Sequence, residues 1–141
     1  MKKFYIFSTA TLFPFALLWN GAVHAVVLRE SNRSLSFLRR TNPGDFILLG
    51  LFATFVIAIL FAISFLKWKK SGSFGEHVSH ILFFTAIAGV FVDLNQYMLY
   101  PISGNVVFFW FIFGFLEFCI YQWIANFYHR KFVEKEPGRN S

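Results

Sequence analysis

Residues His80 to Tyr128 read HILFFTAIAGVFVDLNQYMLYPISGNVVFFWFIFGFLEFCIYQWIANFY. Two long apolar blocks flank the turn Tyr100-Pro101-Ile102-Ser103-Gly104. Each block exceeds the roughly 20 residues that a helix needs to cross a bilayer. Each also carries one carboxylate deep in its apolar run, Asp93 in the first and Glu117 in the second. A carboxylate at membrane depth costs a few kcal/mol, so it is expected to face protein rather than lipid. The stretch therefore predicts a helical hairpin inside a membrane bundle.

The rest of the chain repeats the pattern. Of 141 residues, 57% are hydrophobic and 14% charged, against about 25% charged in soluble domains. The charges sit between apolar blocks, as spanning helices require. The formal net charge of +6 fits orientation in the bilayer and contact with anionic headgroups. No basic segment has the interleaved aromatics of a nucleic-acid surface, so the expected partner is the lipid bilayer, with no nucleic acid. The lone Cys119 excludes an intrachain disulfide and a cysteine metal site, and reads as a small apolar filler.

The first block runs from Phe4 to about Leu28 behind Met1-Lys2-Lys3. It reads either as a signal peptide cleaved after Ala25 or as a retained helix, kinked at Pro14. Its length, and the apolar run that continues through Val26-Val27-Leu28, favour the retained helix. A polar loop, 29–45, follows. Within it Ser34 to Leu38 could form a short interfacial turn, and Asn42-Pro43-Gly44-Asp45 a turn ending in an N-cap. The expected helices are 4–28, 46–66, 77–100 and 105–128, with a disordered tail, 132–141. The fold is an all-α integral membrane bundle of about four transmembrane helices, a single domain over 1–141, with sequential helices antiparallel. Lys and Arg near the helix ends place both termini in the cytoplasm of a bacterial inner membrane, if the first helix is retained.

Membrane helices pack through small and hydrogen-bonding residues. Such stripes recur four apart: Gly50, Thr54, Ala58 and Ala62; then Thr85, Gly89, Asp93 and Tyr97. The fourth block offers Trp110, Gly114, Glu117, Tyr121, Ala125 and Tyr128; the first offers Thr9, Phe13, Ala16, Asn20 and His24. If the hairpin folds at Ile102-Ser103, Asp93 and Glu117 are offset by roughly 7–8 Å along the axis. A bridge through water, Gln96 or Tyr121 would join them.

Three groups are candidate sites. Asp93 and Glu117 suit a proton or cation relay; the structural reading has them bonded to Asn95, Gln96, Tyr121 or Gln122 and is preferred. His77 and His80, three apart near Glu76, could bind a metal together with His129. Solvated histidines at the cytoplasmic edge are the preferred reading. Asn20 and His24 would line the outer mouth or snorkel to the interface.

No phosphate loop, Ser/His/Asp set or Cys/His nucleophile pair is present, so an enzyme is the least favoured class and no cofactor is expected. The leading expectation is a structural or accessory component, acting through helix contacts with a membrane-protein partner or as a homo-oligomer. The alternative is a small oligomeric transporter or channel using Asp93 and Glu117, oligomeric because four helices alone would enclose little space.

Overall fold

The computed structural model describes residues 1–34 and 43–134. Among them every regular element is helical. Helix α1 spans Lys2–Ala22 and continues in a π-helical turn, Val23–Val27; α2 is the short Arg29–Ser34. Helix α3 spans Pro43–Trp68. Helix α4, Phe74–Ala88, runs through a π-helical segment, Gly89–Leu94, into α5, Asn95–Leu99. Helix α6, Gly104–His129, ends in a third π-helical turn, Arg130–Glu134. Four of the resulting rods are long and apolar enough to cross a membrane: Lys2–Val27, Ile47–Trp68, Phe74–Leu99 and Gly104–Glu134.

Local chemistry explains where these rods begin and end, and corrects several expected bounds. Helix α3 starts at Pro43, so Asp45 lies inside the first turn rather than capping it. Proline suits that first position because its missing N–H would have no intrahelical acceptor. The polar loop 29–45 is helical at its start, in α2; the turn expected after Ser34 lies outside the described residues. Helix α4 begins at Phe74 rather than near His77, because Ser73 caps it, its hydroxyl accepting from the Glu76 N–H at 3.3 Å. Glu76 in turn folds back onto the preceding connection. Its carboxylate accepts the backbone N–H groups of Lys70, Ser71 and Gly72 at 2.9–3.1 Å. That backbone cradle needs Gly72 at φ 74°, where a side chain would be strained. The fourth rod runs six residues past Tyr128, so residues 132–134 are helix and not tail; 135–141 lie outside the described residues.

The core forms where α1, α3 and α6 meet. Phe4, Leu12 and Ala16 of α1 pack with Ala58, Phe61 and Phe65 of α3 and with Phe118, Tyr121, Ile124 and Ala125 of α6. The third rod lies against α6 and closes the bundle with Ile81, Phe84 and Ala88. Sequential rods are neighbours, and the first also packs on the last. The start of the first rod and the end of the fourth therefore meet: Phe7 stacks on Phe132 at 5.0 Å, and Phe4 and His129 meet edge-to-face at 6.2 Å.

The small-residue stripes hold only in part. In α3, Ala58 and Ala62 are fully buried, but Gly50 is exposed. Twelve residues at about 100° each turn the end of a four-apart stripe by about 120° from its start. In α1 the buried line is Phe4, Ser8, Leu12 and Ala16, not the line through Thr9 and Phe13. It stays buried despite the same drift because α1 touches both α3 and α6.

Candidate functional site

All four long rods contribute to one central cavity of about 610 Å³ toward the hairpin-turn end. The first rod supplies Asn20, Val23 and His24; α3 supplies Thr54 and Ile57. The third supplies Ala88, Val92, Asp93 and Gln96, and α6 supplies Trp110, Gly114, Glu117 and Tyr121. A cavity of this size is ordinary for a ligand pocket, and it forms within one chain, contrary to the expectation that four helices enclose little space.

The π-helical segment shapes the third wall. Ala88, Val92 and Gln96 lie four apart, and eight residues of uniform α-helix would drift by about 80°. The wider turn over Gly89–Leu94 reduces that drift and keeps the three on one line, with Asp93 beside them. Gly89 opens this segment because Phe111 of α6 passes closely: a Cβ there would lie 2.8 Å from the ring. Gly114 has a different role from the expected close approach. Nothing lies within 4 Å of a Cβ built on it, because it faces the cavity.

Two carboxylates share this space in different states of attachment. Glu117 accepts from the Tyr121 hydroxyl at 2.9 Å and from Asn20 Nδ2 at 3.2 Å. Asn20 also donates to the Ala16 carbonyl, 3.0 Å away, which fixes its amide. Asp93 has no hydrogen-bond or ion-pair partner among the described residues, and lines the same cavity half-buried. The indole N–H of Trp110, on the opposite wall, is also buried and unpaired among them. Of the expected carboxylate partners, Tyr121 bonds Glu117 and Gln96 lines the cavity. Asn95 is exposed, and Gln122 is engaged elsewhere.

Gln122 belongs to a second polar group at the opposite end of the bundle. His80 is fully buried rather than solvated at the edge, because its ring nitrogens have protein partners. Nε2 lies 2.8 Å from Ser64 Oγ, and Nδ1 lies 2.8 Å from Gln122 Oε1. Gln122 Nε2 donates to His77 Nδ1. His129 is held separately: its Nδ1 lies 3.1 Å from both Lys69 Nζ and Glu134 Oε1. Lys69 also bonds Asn126 Oδ1 and Glu134 Oε1, each at 3.1 Å. Among the described residues no three His, Cys, Asp or Glu side chains converge as a metal set. Glu76 is spent on its loop, and the histidine nitrogens point to other partners. Cys119 is half-buried with no disulfide.

Sequence reading did not find Ser64, Lys69 or the Asn20–Glu117 bond. Their bonds join residues 16 to 97 positions apart, so no local spacing announces them. Between the two polar groups stands an aromatic plug. Phe61 meets Tyr121 edge-on at 5.2 Å and Phe118 face-on at 6.0 Å, and Phe84 lies 5.5 Å from Phe118. Comparison with family models, curated proteins and solved structures found no match to this chain.

Proposed function

We propose that the chain is a multi-pass protein of a bacterial inner membrane that takes a proton or small cation into its central cavity and passes it across the bilayer. The cavity carries this reading. It holds two intramembrane carboxylates, one unpartnered, and such groups mark ion and proton pathways. Glu117, held by Asn20 and Tyr121, is the fixed member; Asp93 is free to bind. Lys2, Lys3, Lys67, Lys69, Lys70, Arg130 and Lys131 gather at the end where the first rod starts and the fourth ends, against the four arginines of the first loop, Arg29, Arg33, Arg39 and Arg40, on the other side, where the hairpin turn has no Lys or Arg. The cavity therefore faces outward and the termini face the cytoplasm.

Purified protein in proteoliposomes tests the function. An imposed proton, sodium or potassium gradient is expected to dissipate faster than in empty vesicles. Asp93→Asn should cut that flux about tenfold or more, equivalent to losing ~1.4 kcal/mol of ion stabilisation. Equal leakage from loaded and empty vesicles under every gradient would refute it.

An accessory role rests on a different observation. An apolar groove of about 660 Å³ runs between α1 and α3, lined by Ile6, Ala10, Phe55, Ile59 and Ile63. It fits an apolar ridge of a partner helix. A photo-crosslinker replacing Ala10 should then yield a protein adduct; adducts with lipid alone would remove this reading.

A further inference from the structure

We propose that His80 is a reversible proton-binding site buried in the cytoplasmic half of the bundle, separate from the carboxylate cavity. The inference goes beyond the cavity reading and stands without it. It rests on hydrogen-bond accounting and on what surrounds the ring. Gln122 lies between two imidazoles, accepting through Oε1 from His80 Nδ1–H and donating through Nε2 to His77 Nδ1. His80 Nδ1 therefore carries hydrogen, and in the neutral ring Nε2 is an acceptor. Ser64 supplies the hydrogen, its Oγ lying 2.8 Å from Nε2.

The same hydroxyl lies 3.0 Å from the Phe61 carbonyl. When Nε2 gains a proton, its new N–H donates to Ser64 Oγ, and the hydroxyl hydrogen turns to the Phe61 carbonyl. Every polar atom of the His80–Ser64 pair is satisfied before and after. A histidine needed only for packing has no use for a partner that serves both states.

Aromatic rings form the surroundings. The ring centroids of Phe61, Phe84 and Trp68 lie 4.5, 5.2 and 5.4 Å from that of His80. They stand tilted or edge-on to it, at 45°, 79° and 42°, and enclose the ring on these sides. The titratable and charged groups nearby are distributed as follows. The third rod brings His77 and Glu76, the latter bound to its loop. The connection after α3 brings Lys69, tied to Glu134. The fourth rod brings His129, Arg130 and Glu134, and α1 contributes Phe4 against His129. His77, bonded through Gln122, is half-buried and links His80 to the cytoplasmic end.

Nitrogen NMR of ¹⁵N-histidine-labelled full chain in lipid nanodiscs tests the proposal, with His80→Gln identifying the signal. The His80 nitrogens should pass reversibly from a neutral to a doubly protonated pattern as the pH is lowered through the range in which the protein stays folded. Ser64→Ala removes the partner of both states but costs the charged ring more, because its hydrogen bond is charge-assisted, and should lower the midpoint. Ser64→Thr should restore it. A His80 signal that stays neutral throughout, in protein whose tryptophan fluorescence shows it folded, would overturn the proposal. So would an identical midpoint in wild type and Ser64→Ala.

Discussion

Glu117 and Asp93 have opposite relations to the fold, and substitution should separate them. Glu117→Leu leaves the Tyr121 hydroxyl, only 1% exposed as a residue, without its acceptor. An unpaired buried hydroxyl costs about 1–3 kcal/mol, so thermal unfolding in detergent should begin several degrees lower. Glu117→Gln keeps an acceptor oxygen for Tyr121 and should unfold close to wild type. Asp93→Asn breaks no bond and should leave the unfolding temperature unchanged while removing ion binding. Ser8 gives the converse case. It is fully buried and its hydroxyl has no partner among the described residues. Ser8→Ala should therefore be neutral or stabilise by about 1 kcal/mol in the same assay. Gly114→Leu should fold, since its side chain enters open space, and should block the cavity. The two carboxylates were legible in the sequence because charge inside an apolar run is conspicuous at any fold. His80 was not legible as a buried group: its partners lie 16 and 42 residues away. Nothing in His77-Val78-Ser79-His80 distinguishes a caged ring from a solvated one.

Helix ends and helix periods account for what the sequence conveyed at the level of elements and what it concealed. The existence of all four rods follows from length and hydropathy. Their ends moved by a few residues wherever a cap outranked hydropathy, as at Ser73. Ser73→Ala should cost ~1 kcal/mol of cap energy and fray the start of α4, read as faster amide exchange over 74–77. The buried stripes were legible only locally, because a period of four and a helix of 3.6 part company within three turns. The π-helical segment Gly89–Leu94 is the exception that restores the period, and no residue type in Gly-Val-Phe-Val-Asp-Leu announces it. Deleting the exposed Val90 would return the segment to α-helix while leaving the following residues near their present orientation, because the wide turn holds about one residue more than α-helical turns do. Gln96→Cys, in a Cys119→Ala background, should react with a water-soluble thiol reagent in the full-length chain. It should keep reacting in the deletion and stop when one alanine is instead inserted after Val90, which turns the wall by about 100°; unchanged reaction in the insertion would show that the segment does not aim this wall.

For the molecule as a whole, polarity is divided between two ends with an aromatic plug between them. The hairpin-turn end holds the carboxylate cavity. The end at which the first rod starts and the fourth ends holds the histidine–glutamine chain and the Lys69–Glu134 pair. Alternating access would have to open the plug at Phe61, which touches both groups. Orientation rests on the positive-inside rule, so Ser103→Cys in a Cys119→Ala background should label from outside intact cells, and a tag after Ser141 should be cytoplasmic. The antiparallel order was legible in the short connections. The cavity was not, since it depends on how far apart four helices stand. Its openness to water from the hairpin side is the claim on which the account of function turns. The direct measurement replaces Asp93 with cysteine in the Cys119→Ala background and exposes intact cells to a membrane-impermeant thiol reagent. The account predicts labelling without permeabilisation, slowed when Gly114→Leu fills the cavity. Labelling only by a lipid-soluble reagent, unaffected by Gly114→Leu, would contradict it.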